Sequence, residues 1–143
     1  MPGLTTTGEL VRLELPAQPA FVGVARSVVA AVAGSLDGID DDRLEDLRVA
    51  VSEACTNAIG THAADEPDAE ARVVVRCAVV EDRFEVVIED SGAGLDPSAL
   101  PDTDAGGWGL QLIEALVDGV TFETSGQGGT AVELVMRLEP AAD

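Results

Sequence analysis

The segment EACTN at residues 53–57 is a short polar interruption of an otherwise apolar pattern, and it is the part of the sequence from which the fold can be inferred most directly. Apolar residues around it recur at spacings of three and four, the period of an amphipathic helix: Leu44, Leu47, Val51, Ala54 and Ala58. The acids from Asp40 to Asp42 supply an N-cap and a negatively charged first turn, so we predict a helix from there to about Ile59. Glu53 and Asn57 then lie one turn apart on one flank, at the margin of the apolar stripe.

A second polar cluster is DSGAG at residues 90–94, which follows a strand-like alternation. Period-two alternation places Asp90 on the same face as the apolar residues of that strand, so we predict that its carboxylate is directed into the interior. A buried carboxylate needs a hydrogen-bond donor. Gly92 and Gly94 would let the backbone turn close to a bound molecule. The alternative interpretation is an aspartate that caps its own turn.

The third cluster is GGWGL at residues 106–110, at the start of another helical pattern. Free N–H groups and the helix dipole at such a start favour an anion, and phosphate is the natural occupant. The candidate contacts are Gly107, Trp108, Gly109 and Leu110. The alternative interpretation of these residues is a plain glycine-rich loop before a helix. A weaker signal is Thr130, which follows two glycines before the last predicted strand.

Together the clusters supply what a magnesium nucleotide needs. The amide oxygen of Asn57 is a suitable Mg²⁺ ligand, and Glu53 is placed to orient or deprotonate a nucleophile. Asp90 is suited to accept a hydrogen bond from the amino group of adenine. We therefore predict an ATP-binding domain, while an exposed polar flank is the alternative for Glu53 and Asn57 taken alone.

The remaining pattern predicts one α/β domain over residues 1–143, with a core of about 9–138. Predicted strands cover residues 9–15, 72–80, 83–90, 120–124 and 130–138, and predicted helices cover 21–34, 40–59 and 109–117. Loops are predicted at 63–71 and 95–107 from their acidic and proline-containing composition.

The chain is strongly acidic, with 27 Asp and Glu against 8 basic residues and a formal charge of -19. Such a charge repels phosphate backbones, so we exclude nucleic acid as a direct partner. Cys55 and Cys77 form no CxxC pair and lie among apolar residues, which is typical of buried thiols in a reducing compartment. No signal peptide or spanning apolar stretch is evident, so we expect a soluble cytoplasmic protein without membrane attachment.

The chain resembles a known family, the GHKL nucleotide-binding fold (histidine kinase-like ATPase domain), and within it the small bacterial anti-sigma factor serine/threonine kinases. Residues 51–58 resemble its N box, 87–94 its G1 box, 107–110 its G2 box and 129–130 its last motif. The resemblance runs from about Glu9 to Leu138. It implies an α+β two-layer sandwich, in which helices cover one face of a mixed, mainly antiparallel sheet.

The resemblance also implies an activity and partners. Members of this family bind Mg-ATP, sequester a sigma factor and phosphorylate a STAS-type anti-anti-sigma protein on Ser or Thr, and a homodimer is expected. Carried over by motif, Glu53 would be the catalytic base, Asn57 the Mg²⁺ ligand and Asp90 the residue that recognises adenine. Further nucleotide contacts would come from Gly92, Gly94, Gly107, Trp108, Gly109, Leu110 and Thr130.

Two departures from the family bear on catalysis. His62 lies five positions beyond the N-box asparagine, which favours a helix-end residue over a ligand. No Lys or Arg occurs between Asp90 and Leu110, although phosphoryl transfer normally employs a cation near the γ-phosphate. Arg48, Arg72 or a partner protein would have to supply that charge. The alternative function is therefore a non-catalytic or weakly catalytic nucleotide-binding anti-sigma module.

Overall fold

The computed structural model of the chain describes residues 8–63, 71–90, 111–124 and 130–139. In chain order the elements are β1 (Gly8–Pro16), a 3-10 turn (Pro19–Phe21), α1 (Val22–Gly34), α2 (Asp41–Ala63), β2 (Arg72–Val80), β3 (Arg83–Asp90), α3 (111–116), β4 (Gly119–Thr124) and β5 (Thr130–Arg137). Each predicted strand and helix is confirmed where the structure describes it. The predicted loop 95–107 and most of the predicted loop 63–71 lie outside the described residues.

The strands form one five-stranded sheet in the order β1-β2-β3-β5-β4, and each described pairing is antiparallel. The mainly antiparallel sheet implied by the resemblance is therefore confirmed. β2 and β3 form the predicted hairpin, with Glu81 and Asp82 as its turn. Glu81 has a φ of 58°, a left-handed conformation that is uncommon for a residue with a Cβ.

One face of the sheet packs against the helices. Along β2 and β3 every second residue is buried and the alternate residues keep partial exposure, the pattern of strands with one covered face. The buried side chains of the sheet and the helices meet in one aliphatic core, whose largest members include Phe84, Leu47, Ile88, Ile113 and Leu134. Cys55 and Cys77 are buried in this core, as predicted.

The other face of the sheet, here called the open face, carries charged side chains that alternate with the buried ones: Arg12, Glu14, Arg72, Arg76, Arg83, Glu85, Glu89, Glu133 and Arg137. Ion pairs link neighbours on this face, and Arg76 Nη2 lies 2.9 Å from Glu89 Oε1. Burial and the nearby Glu133 carboxylate raise the pKa of Glu85, while Arg83 acts in the opposite direction.

The helices lie side by side on the covered face. α1 contacts β1 and β2, whereas α2 contacts β2 and β3. The buried stripe of α2 has the predicted period, with Leu47, Ala50, Val51, Ala54, Cys55, Ala58 and Ile59. The helix continues to Ala63, beyond the predicted end at Ile59. The prediction rested on the apolar pattern, and the helical backbone extends past the last residue of that pattern.

Hydrogen bonds fix the start of α2 to one end of the sheet. The Arg43 guanidinium donates to Asp118 Oδ2 at 2.8 Å and to the Gly38 carbonyl at 3.1 Å. Asp118 directly precedes β4, and the N–H of Leu138, directly after β5, donates to the Asp82 carbonyl at 2.7 Å. The first turn of α2 therefore lies at the same end of the sheet as the β2–β3 turn, and the helix runs from there toward the opposite end.

Candidate nucleotide-binding site

Glu53 and Asn57 are both half-buried, as expected at the margin of an apolar stripe. The side of α2 that faces α1 is identified by Ser52, whose hydroxyl accepts a hydrogen bond from Arg26 Nη1 of α1 at 3.5 Å. At about 100° per residue, Ser52 and Asn57 lie on opposite sides of the buried stripe, each about 110° from its centre. Asn57 therefore lies on the flank of α2 that is turned away from α1.

Asp90 is the last residue of β3 and lies on the covered face, as the alternation predicted. It is 5% exposed, and no other charged or polar residue in the described part of the chain is buried. Because α1 covers β1 and β2, the flank of α2 turned away from α1 faces the β3–β5 side of the sheet. Asn57 and Asp90 are thus on the same side of the helix layer.

The two residues also lie at the same level along the sheet. Asn57 is about 24 Å along α2 from Asp41, at a rise of 1.5 Å per residue. Asp90 is about 26 Å along β3 from Asp82, at about 3.3 Å per residue. Both distances start from the end of the sheet that holds the β2–β3 turn, so the amide and the carboxylate occupy the same opposite end.

Strand pairing brings a further predicted contact residue to Asp90. In the register, Val73 of β2 lies opposite Asp90 on one side and Thr130 of β5 lies opposite it on the other. Asp90 therefore occupies the middle of the sheet rather than an edge. Thr130, which is distant from it in sequence, is its direct neighbour in the fold.

The other predicted contacts lie outside the described residues: Gly92, Gly94, Gly107, Trp108, Gly109 and Leu110. The structure does describe both ends of the chain segment that contains them. The segment begins directly after Asp90 and ends directly before α3, whose Ile113 is buried in the same core as Ile88. The glycine clusters are thus connected at both ends to the covered face of the sheet.

A separate open groove of about 440 Å³ lies between α1 and α2, and it is lined by Arg26, Glu45, Arg48, Val49, Ser52 and Glu53. Asn57 lies on the opposite flank of α2, so this groove is distinct from the region between Asn57 and Asp90. Glu53 lines this groove and also lies one turn before Asn57, on the outer surface of α2, so it connects the groove with the flank of Asn57. Sequence reasoning missed Arg26, although a single charged residue inside the apolar pattern of α1 is a signal that points to it.

Cys55 lies between the two predicted site residues in the sequence but is directed into the core. It is 1% exposed, and burial raises the pKa of its thiol to about 12. A thiol in this state is protonated at neutral pH and does not act as a nucleophile. The chemistry of the EACTN segment is therefore carried by Glu53 and Asn57.

The side-chain oxygens at this end of the sheet are suited to an Mg²⁺ ion that is bound mainly through the phosphates of a nucleotide. Among the described residues no three His, Cys, Asp or Glu side chains are grouped to hold a metal ion. Mg²⁺ commonly takes one or two protein oxygens, and substrate phosphates and water complete its octahedral shell. One half-buried amide such as that of Asn57 is consistent with this mode.

Comparison with known proteins defines the class to which this fold and site belong. Residues 15–136 match the histidine kinase-like ATPase domain family, so the chain belongs to that family. The α+β fold class and the family that the sequence motifs indicated are therefore confirmed. None of the described helices combines the length and the apolar character needed to cross a lipid bilayer.

Curated relatives narrow the assignment within the family. A protein named serine-protein kinase RsbW from Bacillus velezensis is 37% identical over 135 residues, which cover 85% of this chain and 82% of that protein. The protein of the same name from Bacillus subtilis is 38% identical over 133 residues, covering 84% of this chain and 81% of its own length. Within the ATPase-domain family, the chain is most usefully compared with these serine-protein kinases.

A solved structure supports the same fold. The blue-light activated histidine kinase EL346 of Erythrobacter litoralis superposes with a TM-score of 0.57 at 23% identity, over 86% of this chain and 42% of that chain. The chain thus spans less than half the length of that protein, and the likeness bears on the fold alone.

Proposed function

We propose that this chain is an anti-sigma factor with protein serine/threonine kinase activity. It binds Mg-ATP in the cytoplasm, sequesters a sigma factor and phosphorylates a STAS-type anti-anti-sigma protein on Ser or Thr. The relatives named serine-protein kinase support the kinase activity. The sigma factor, the STAS-type protein and a homodimer follow from the resemblance of the motifs. The net charge of -19 favours basic partner surfaces and disfavours direct contact with DNA.

The observation that carries the proposal is the common location of Asn57 and Asp90. One lies on the flank of α2 that faces the β3–β5 side, and the other is the buried end of β3 at the same level of the sheet. The Asp90 carboxylate is suited to accept a hydrogen bond from the exocyclic amino group of adenine, and the Asn57 amide then lies on the phosphate side of the nucleotide.

Each side chain has one role in the proposed transfer. Asp90 accepts a hydrogen bond from adenine, and Asn57 would hold Mg²⁺, which supplies charge neutralisation to the phosphates when bound. Glu53 accepts the proton of the acceptor hydroxyl. The Ser or Thr oxygen forms a bond to the γ-phosphorus, the bond from that phosphorus to the β,γ-bridging oxygen breaks, and ADP leaves with the electron pair.

A second candidate function is a sigma-factor sequestering module that binds nucleotide but transfers phosphate slowly or not at all. The observation that favours it is the composition of residues 91–110, which contain no Lys or Arg. Losing one electrostatic contact to the transition state typically costs about 10²- to 10³-fold in rate. Nucleotide binding is common to both candidates, and only phosphoryl transfer separates them.

The test of nucleotide binding uses Trp108, the single tryptophan of a chain that has no tyrosine. Mg-ATP and Mg-ADP are titrated while the emission of Trp108 is followed, with and without Mg²⁺. We expect Asn57→Ala to weaken the dependence on Mg²⁺. Thr56→Ala is the matched control, because Thr56 is an exposed neighbour on the same helix. Equal Mg²⁺ dependence in the two variants would remove Asn57 from the site.

The test of catalysis is transfer of labelled phosphate from Mg-ATP to STAS-type proteins of the same organism. Labelling of one of them on Ser or Thr supports the kinase function. Intact nucleotide binding without labelling of any of them rejects catalysis and leaves the sequestering module. Binding of a sigma factor is measured separately, by co-purification in the presence of Mg-ATP.

A further inference from the structure

Arg43, in the first turn of α2, joins parts of the fold that are distant in sequence. Its guanidinium donates to Asp118 Oδ2 at 2.8 Å and to the Gly38 carbonyl at 3.1 Å. The same Asp118 oxygen accepts the N–H of Arg137 at 2.7 Å. The same Gly38 carbonyl accepts the N–H of Glu139 at 3.0 Å. These contacts, here called the Arg43 clamp, link the start of α2 to the end of β5 and to the residue before β4.

The Arg43 clamp is held firmly on both sides. On the helix side, Asp40 caps α2: its Oδ1 accepts the N–H of Arg43 at 2.8 Å, and its carbonyl accepts the N–H of Leu44 at 2.8 Å. On the sheet side, the N–H of Asp118 donates to the Val135 carbonyl at 2.9 Å. The Arg43 side chain is 21% exposed, and short charge-assisted bonds in such a position are stronger than exposed ion pairs. The clamp therefore constrains where α2 begins on the sheet.

The apolar contact between α2 and the sheet constrains the position of the helix less. Of the seven buried side chains described on α2, four are small: Ala50, Ala54, Cys55 and Ala58. Small side chains interdigitate little, so they allow close approach but specify axial position and tilt less well than alternating large and small ones. Fixing register is the best-attested use of ionic contacts inside a fold. Arg43 is placed to have this role in α2.

The site lies at the other end of the same helix. Asn57 is about 21 Å along α2 from Arg43, so a tilt of about 3° moves it by about 1 Å. Asp90 does not move with α2, because it belongs to β3 and is paired with strands on both sides. Mg²⁺ demands near-ideal octahedral geometry. A displacement of this size therefore weakens metal coordination and leaves a hydrogen bond from adenine to Asp90 in place.

We propose that Arg43 is a positioning residue for the nucleotide site. Its clamp sets the axial position and tilt of α2 on the sheet, and with them the separation of the Asn57 amide from the Asp90 carboxylate. The inference rests on the proposed binding of Mg-ATP. It gives a function to a side chain that touches neither the metal nor the nucleotide and lies at the opposite end of the sheet.

The test compares nucleotide binding in clamp variants, followed by the emission of Trp108 with ATP in the presence of Mg²⁺ and in the presence of EDTA. We expect Arg43→Gln to lower the affinity for Mg-ATP about tenfold, with the affinity for metal-free ATP within about threefold of wild type. Asp118→Asn should show the same selective loss. Arg83→Gln is the matched control, because it removes an arginine that lies 3.5 Å from Glu85 on the open face, and it should keep both affinities.

A double-mutant cycle separates positioning from a general loss of stability. In the Asn57→Ala background, Arg43→Gln should have no further effect on the Mg²⁺ dependence, because the group that it positions is absent. Urea unfolding of each variant identifies conditions under which all of them are folded. Arg43→Lys keeps the charge beside Asp118 but presents a single nitrogen. We expect this milder variant to fold and to show a selective loss of about threefold.

Wild-type Mg²⁺ dependence in folded Arg43→Gln and Arg43→Lys overturns the inference, and Arg43→Lys alone decides if Arg43→Gln does not fold. Equal losses of affinity for Mg-ATP and for metal-free ATP also overturn it. So does an effect of Arg43→Gln that is as large in the Asn57→Ala background as in the wild-type chain. If the wild-type chain itself does not respond to ATP, the proposed nucleotide site has failed, which is a distinct result.

Discussion

Asp90, the last residue of β3, is paired in register with Thr130, the first residue of β5. The pairing joins the second and the last of the polar clusters in the sequence at one point of the sheet. Val73 of β2 lies opposite Asp90 on its other side, so the carboxylate lies on the central strand of the sheet, at the end of that strand. This position gives the site a rigid base, because its neighbours on both sides are held by backbone hydrogen bonds.

Replacing Asp90 with Asn should weaken the binding of adenine nucleotides. A hydrogen bond to a charged group contributes about 1.5–3 kcal/mol, or about 10- to 100-fold in Kd. The selectivity for ATP over GTP should fall as well, because the carboxylate accepts from the adenine amino group. Calorimetry with both nucleotides measures these effects. The control is Glu89→Gln, which removes a neighbouring carboxylate on the open face, and equal losses in the two variants would contradict the assignment.

Replacing Glu53 with Gln should leave ATP binding intact and lower phosphoryl transfer by about 10²- to 10⁴-fold, the usual contribution of a general base. The amide keeps the shape of the side chain but does not accept the proton. Glu45→Gln is the matched control, because Glu45 lines the same groove as Glu53. Single-turnover transfer rates, compared with nucleotide affinity, separate the two effects. Transfer at the wild-type rate by Glu53→Gln would remove Glu53 from the chemistry.

Replacing Gly38 with Ala should destabilise the fold. Gly38 has a φ of 107°, and an added Cβ would lie 2.9 Å from the backbone nitrogen and oxygen of Glu139. We expect a loss of about 1–3 kcal/mol in the free energy of unfolding. Gly23→Ala within α1 is the control, since its added Cβ would meet only Arg26 Nη2 at 3.6 Å and should stabilise the helix by up to about 1 kcal/mol. Urea unfolding curves compare the two, and a stable Gly38→Ala variant would be inconsistent with the strained turn.

The free energy of unfolding should fall as the pH rises above about 9. Burial raises the pKa of Cys55 to about 12 and that of Cys77 to about 11, from an ordinary value of 9.0. Above that value the thiols of the unfolded chain ionise while those of the folded chain stay protonated, so the unfolded state binds fewer protons and stability decreases with pH. The stabilisation is fully present below pH 9 and is lost as the pH approaches the folded-state values.

The chain contains no Lys and no Tyr, so few other side chains titrate in this range. Urea unfolding at pH 8 and at pH 10.5 measures the change. The double variant Cys55→Ala, Cys77→Ala should show a clearly smaller decrease than wild type. An identical decrease in the two proteins would exclude the thiols as its source.

Several parts of the fold were predictable because they depend on local pattern. The alternation along β2 and β3 placed Asp90 on the covered face, and the period of three and four along α2 placed Asn57 at the edge of its buried stripe, whereas Glu53 lies further out, in the groove with Arg26. The end of α2 was less predictable, since its hydrogen bonding continues to Ala63 after the apolar pattern stops. The role of Arg26 beside Ser52 was also missed, because the two residues lie on different helices.

The elements, the buried face of each one, the order of the motifs and the family they indicate can be read from the sequence, because they depend on period, turn chemistry and residue type. The position of Asn57 on the flank of α2 away from α1, the pairing of Thr130 with Asp90, and the groove shared by Arg26 and Glu53 depend instead on how distant segments pack. Strand register and helix packing set these positions. They arise from contacts between distant parts of the chain, which no local pattern encodes.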